Sequence, residues 1–96
     1  MMNAWPIEIG SVVISKAGRD RGRPFLVVDV VDDDFVMVAN GALRKMDRQK
    51  KKRRKHLKPT GRIVPELRDR LANGPAVQDH ELRAWLSEEE EKLVQV

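Results

Sequence analysis

The sequence predicts a small, mainly β unit followed by a short helical extension, and three observations carry that expectation. First, Val12-Val13-Ile14, Phe25 to Val31 and Phe35 to Val38 are runs rich in β-branched residues, and the second alternates with the period of two expected of a strand. Second, turn-forming residues separate these runs: Gly18 and Gly22, then Asp32-Asp33-Asp34, then Asn40-Gly41. Third, from Ile63 onward the apolar spacing becomes helical. A chain of 96 residues holds one domain with a modest core. Aromatics make up only 4%, so Val, Leu and Ile must build that core. The expected division is residues 1–62 as the β unit, including a basic segment 44–62, and residues 63–96 as the helical extension packing on it.

In chain order, Met1 to Asn3 are expected to fray, and Trp5 either covers one end of the core or stacks on a base. Ile7 and Ile9 flank Glu8 and lead to Gly10, where the β unit begins. Val12 to Ser15 is the first strand and Phe25 to Val31 the second, with Leu26, Val28 and Val30 on one face and Phe25, Val27, Asp29 and Val31 on the other. Between them, Lys16-Ala17-Gly18-Arg19-Asp20-Arg21-Gly22-Arg23-Pro24 reads as a turn that presents arginines. Gly18 and Gly22 can adopt positive φ and let a phosphate approach the backbone. The triple Asp reads as a hairpin turn, with a hard-cation site as the alternative; no further carboxylates are spaced to complete one.

Phe35 to Val38 is the third strand, ending in a tight turn at Asn40-Gly41. Ala42 to Met46 reads as a short fourth strand, and Pro59-Thr60-Gly61 as a turn closing the basic segment. Pro65 suits a first helical position, Leu67 and Leu71 share a face, and Gly74-Pro75 stops that helix. Asp79 then serves as N-cap of a second helix carrying Leu82, Trp85, Leu86 and Leu93 on one side. Ser87 and Glu90 also have capping-box spacing, so this segment is either one helix or two shorter ones. Leu82, Trp85 and Leu86 form an apolar patch for docking, which leaves Glu88 to Glu91 facing solvent or the basic run.

The charge is unevenly placed. The chain carries +4 in total, but residues 44 to 62 alone carry +10, against −2 before them and −4 after. A block of that density repels itself and is expected not to fold compactly without counter-charge from nucleic acid, anionic lipid or an acidic protein segment. The candidate phosphate-binding cations are Lys16, Arg19, Arg21 and Arg23 in the loop, then Arg44, Lys45 and Arg48, then Lys50, Lys51, Lys52, Arg53, Arg54, Lys55 and Lys58. Arginines grip phosphate bidentately or stack on bases. The unbroken run 50–55 should supply affinity more than specificity. Gly18, Gly22 and Gly41 are the structural turn glycines.

The exclusions are equally direct. With no cysteine, disulfides and thiolate metal sites are ruled out, and an intracellular compartment is expected. No apolar run approaches the roughly 18 residues of a membrane span, and the amino end does not read as a signal peptide. His56 and His80 have no evident partners. No nucleophile elbow or phosphate-loop spacing occurs, so no catalytic residue, metal, cofactor or small-molecule substrate is expected.

Gly10-x-Val12-x-Ile14-x-x-x-Gly18-x-x-x-Gly22, followed by a valine-rich strand, resembles the KOW motif of ribosomal and transcription-associated proteins, which forms part of an SH3-like β-barrel. The stretch Ala17 to Arg23, with Val27-Val28-Asp29, Asp33-Asp34-Phe35-Val36, Asn40-Gly41 and Arg44-Lys45, resembles the fourteen-e family of large-subunit ribosomal proteins of archaea and eukaryotes. Arg54 to Thr60 is similar to the segment closing that barrel. The chain departs from the generic motif at Arg23-Pro24-Phe25, where many KOW motifs place another glycine. The resemblance implies an SH3-like barrel of about five strands, with ribosomal RNA and other ribosomal proteins as partners, a cytoplasmic location and a monomer when free. A protein-interaction module using the barrel edge or the C-terminal helix is the alternative.

Overall fold

Five strands form where the β-branched runs lie and where the basic run follows them: β1 (Ser11–Ser15), β2 (Pro24–Val30), β3 (Phe35–Ala39), β4 (Lys50–Arg53) and β5 (Leu57–Ile63). Helices α1 (Pro65–Asn73) and α2 (Asp79–Val94) follow. The structure, a computed structural model, describes residues 6–94, with side chains up to Glu89. The expectations for Met1 to Asn3, for Trp5 and for the side chains of Glu90, Glu91 and Leu93 therefore fall outside the described residues.

The strands make one antiparallel sheet in the order β4-β3-β2-β1-β5. Its two edge strands are consecutive in the chain, joined only by the 3₁₀ turn Arg54–His56. In a flat sheet they would lie four strand spacings, about 19 Å, apart. A 3₁₀ path from Arg53 to Leu57 covers only about 8 Å. The sheet must therefore curl until its edges approach. A side-chain contact records the closure: Lys52 Nζ on β4 donates to Ser15 Oγ on β1 at 3.1 Å, although the two strands are three places apart in the sheet. The result is a small barrel-like sheet with a helical C-terminal extension, as the sequence predicts.

Because β2 is apolar on both sides, the sheet has two cores. Val13, Phe25, Val27, Val36, Val38 and Leu57 fill the concave interior, with Ile7 against them. Val12, Leu26, Val28 and Ala39 face the other way and are covered by Val64, Leu67, Val77, Leu82 and Leu86. Trp85 and Met37 pack at the margin of this second core. Leu67, Leu82 and Leu86 are almost fully buried, each worth about 1.5–3 kcal/mol. The helices are thus half of a core, and the docking patch read from the sequence is used in full.

Four local expectations are corrected. The fourth strand is Lys50–Arg53, not Ala42 to Met46. Asn40 Oδ1 accepts the amides of Ala42 and Arg44 at 3.0 and 2.9 Å, which commits that backbone to a loop. The basic run is not an unstructured linker: residues 50 to 58 supply β4, the 3₁₀ turn and the start of β5. Lys50, Lys51 and Arg53 stay exposed to water, and lysines suit an edge strand because they discourage further pairing. Pro59-Thr60-Gly61 is not a closing turn but part of β5, where the register with β1 shifts between Ser11 and Val13. An edge strand tolerates Pro59, whose missing N–H is not needed by a second neighbour.

Asp79, finally, does not cap α2. Glu81 accepts the Gln78 amide at 3.0 Å, the reciprocal half of a capping box, while Asp79 Oδ1 accepts the Met46 amide at 2.8 Å and ties the 40–49 loop to the helix start. The same junction explains Gly41. Its φ is +79° and a Cβ would strike the Asp79 carbonyl, so both conformation and space require glycine. The segment 79–94 is one helix, and Ser87 Oγ donates to the Ala84 carbonyl instead of capping a second. The Arg70 guanidinium holds Glu81 in a two-bond fork, which with the Gln78 amide lowers the Glu81 pKa.

Candidate nucleic-acid interface

The cations predicted from the sequence fall into two groups. Arg44, Lys52 and Arg54 are half-buried; Lys16, Arg19, Arg21, Arg23, Lys45, Arg48, Lys50, Lys51, Arg53, Lys55 and Lys58 are exposed. Each half-buried member is hydrogen-bonded into the fold. Arg44 Nε pairs with Asp20 Oδ2 at 3.1 Å, and the Asp20 side chain is only 5% exposed. Lys52 Nζ reaches Ser15 Oγ and, at 3.5 Å, the Ala17 carbonyl. Arg54 donates from Nη1 to the Ile7 carbonyl at 2.7 Å and from Nε to the Asp32 carbonyl at 3.2 Å.

These bonds assemble the site. Asp20 lies in the glycine loop, so its pair with Arg44 fastens the 40–45 turn to that loop. Lys52 fastens β4 to the loop's base, and the Lys16 amide donates to the His56 carbonyl at 2.8 Å, adding the 3₁₀ turn. The 40–45 turn and the contiguous stretch 50–56 are thereby gathered around residues 15–23. Arg19, Arg21 and Arg23 stand exposed at the tip. Gly18 and Gly22 have φ of +74° and +85° with open space around them, leaving the backbone accessible between the arginines. Arg48 stands on the 3₁₀ turn Met46–Arg48, and Lys58 on β5 opposite Ile14.

Acidic residues brace the site and border it: Asp20 braces it by pairing with Arg44, and Asp33 and Asp34 stand beside Arg53, Arg54 and Lys55. Asp32 Oδ1 accepts the amides of Asp34 and Phe35, both at 2.8 Å, so the triple Asp is the β2–β3 turn. Those two amide bonds, first Asp34 and then Phe35, lower the Asp32 pKa. Among the described residues no cluster of three or more His, Asp or Glu could hold a metal ion. Glu89 is buried beside Arg62, with 3.7 Å between Oε1 and Nη1, which pairs one glutamate of the acidic stretch with the last arginine of the basic segment. No described helix is long and apolar enough to cross a membrane.

One residue at this surface is not legible as a site residue from the sequence. Phe35 reads there only as the start of a strand, yet Lys51 Nζ and Arg53 Cζ lie 4.6 and 4.8 Å from its ring centroid. The pairing Phe35↔Arg53 that brings them together follows from the β3–β4 register. A correct fourth strand was the missing signal.

The curled five-stranded sheet, the glycine loop between β1 and β2 and the C-terminal helices define a small, mainly β, barrel-like protein with a helical extension. Comparison with known proteins narrows the class. The chain is 38% identical over 58 residues to large ribosomal subunit protein eL14 of Desulfurococcus amylolyticus, a match covering 60% of each chain. It is 29% identical over 83 residues to eL14 of Metallosphaera sedula, covering 86% of this chain and 79% of that one. Against eL14 of Staphylothermus marinus the identity is 29% over 58 residues, again 60% of each chain. No protein-family model matches the chain. The chain is therefore similar to eL14 over these residues, and it spans about 60% of the length of the Desulfurococcus and Staphylothermus relatives.

Proposed function

We propose that this protein binds structured RNA, most naturally ribosomal RNA, as a non-catalytic, ribosome-associated component. The observation that carries the reading is the gathering of the glycine loop, the Arg44-Lys45 turn and the run 50–55 by the Asp20–Arg44 and Lys52–Ser15 contacts. An array of exposed cations on a rigid barrel suits the spaced phosphates of a folded RNA better than a flexible tail does, because its geometry is set before binding. In this reading Arg19, Arg21 and Arg23 engage phosphates or stacked bases at the loop. Lys45, Arg48, Lys50, Lys51, Arg53, Lys55 and Lys58 extend the phosphate track, while Arg44, Lys52 and Arg54 hold it in shape.

The names of the relatives support the same assignment, since each is a large-subunit ribosomal protein. Other ribosomal proteins are then neighbours, the location is cytoplasmic, and the free chain is a monomer. Residues 1–62 carry the RNA contacts and residues 63–96 seal the outer face of the sheet. The rival reading is a protein-interaction module using the barrel edge or the C-terminal helix; burial of Leu82 and Leu86 in the second core argues against the helix half of it.

The test is a titration of labelled structured RNA across salt concentrations. With roughly six phosphate contacts, the logarithm of affinity should fall against the logarithm of salt with a slope of about −4 to −5. A flat response, or no binding at low salt, removes the RNA reading.

A further inference from the structure

We propose that Phe35, with the side chains of Arg53 and Lys51 laid over it, is a stacking platform for an unpaired base of the bound RNA. The inference rests on the RNA reading above and deepens it by naming what part of the RNA this edge takes.

The two phenylalanines of the chain have different surroundings. Phe25 is fully buried in the interior core. Phe35 is half-buried but belongs to neither apolar cluster. It stands on the opposite side of β3 from Val36 and Val38, which face the interior. Its position is nonetheless well fixed, because its amide donates to Asp32 Oδ1 at 2.8 Å in the turn before β3. Across the ladder Arg53 is its direct partner and Lys51 its diagonal one, through Met37. Both cations come to the same ring, Lys51 at 4.6 Å and Arg53 at 4.8 Å from its centroid. They do so on β4, at the open edge of the sheet.

An aromatic that serves no core and lies beneath two exposed cations backs a guanidinium plane with apolar area. That is the chemistry by which aromatic rings and guanidinium planes take up unstacked bases. Asp33 and Asp34 line a depression with Arg53, Arg54 and Lys55, so beside the cations that meet phosphates stand carboxylates, which tolerate a neutral base. Bases within an A-form helix are already stacked, so the ligand is a bulged or looped nucleotide.

The experiment compares an RNA duplex carrying one bulged uridine with the same duplex fully paired. The native chain should bind the bulged form about fivefold to a hundredfold more tightly. Phe35→Leu should abolish that preference, bringing the affinity for the bulged form down to that of the same variant for the paired duplex. Phe35→Trp should retain the preference. The unfolding midpoint of each variant checks that the barrel is intact, and iodouridine at the bulge should photo-crosslink to Phe35 in the unaltered chain.

A preference that survives Phe35→Leu, or a crosslink mapping away from residues 35 and 53, overturns the platform. If the native chain binds neither duplex, the RNA reading itself fails and takes the platform with it. That outcome is distinct, since it shows in the native chain without any substitution.

Discussion

The glycine loop 16–23 and the run 50–55 carry the same kinds of side chain and put them to different ends. In the loop every cation is exposed, and the tether is the one carboxylate, Asp20, buried against Arg44. In the run the cations divide. Lys50, Lys51, Arg53 and Lys55 are exposed, while Lys52 and Arg54 are half-buried and bonded to Ser15, Ala17, Ile7 and Asp32. The loop is an arginine display on a turn; the run is a strand whose charges are part structure and part surface. Charge density alone therefore does not identify a binding residue. Two arginines one position apart, Arg53 and Arg54, differ because one lies over Phe35 and the other reaches the carbonyls that close the barrel.

That contrast can be broken or sharpened by substitution. The largest effect should come from replacing Arg19, Arg21 and Arg23 together by Ala. RNA affinity near physiological salt should fall about a hundredfold and the salt slope flatten by about 2 to 3. Chemical unfolding should move by less than about 0.5 kcal/mol per site. A large loss of stability would mean that the loop is built into the fold after all.

Arg54→Ala should show the opposite signature. Loss of its bonds to Ile7 and Asp32 should lower stability by about 2 kcal/mol, read from the urea midpoint at constant m, with little change in salt slope. Next comes an asymmetric pair. Arg44→Ala leaves the buried Asp20 carboxylate without its partner and should destabilise by about 2 kcal/mol. Asp20→Ala leaves Arg44, which is 31% exposed, free to reach water and should cost about 1 kcal/mol. Equal losses would show that the pair contributes through the arginine's packing alone.

The smallest effect concerns pH. The Asp34 and Phe35 amides hold the Asp32 pKa below its ordinary 3.8. A depressed folded-state pKa stabilises the native chain above the unfolded value, and that contribution is lost as pH falls through the folded one. Stability measured from about pH 5 downward should decline less steeply in Asp32→Asn than in the native chain. Identical acid limbs would remove Asp32 as an anchor of the β2–β3 turn.

Much of the fold is readable from the residues alone, and the failures are informative. Val12 to Ser15, Phe25 to Val31 and Phe35 to Val38 are visible as strands because their side chains meet a core and their turns announce themselves through Gly, Asp and Asn. The helix from Pro65 is visible through its proline, its leucine spacing and its Gly-Pro stop. Lys50–Arg53 is invisible, because no hydrophobic alternation marks a strand made wholly of Lys and Arg; its structure comes from pairing with β3. Asp79 misleads for a related reason. It has the right chemistry for a cap, but tertiary folding brings the Met46 amide within its reach.

Composition and periodicity were sufficient for the class of fold, the concentration of charge in residues 44–62 and the arginine-bearing loop between two strands, because these depend on residues near one another in the chain. Folding alone decided which of the candidate cations stay exposed, that Phe35 lies beneath two of them, and that Glu89 is buried beside Arg62. Each of those outcomes is a contact between segments apart in sequence. The strand register and the curl of the sheet set them, and neither quantity is written in any single stretch of residues.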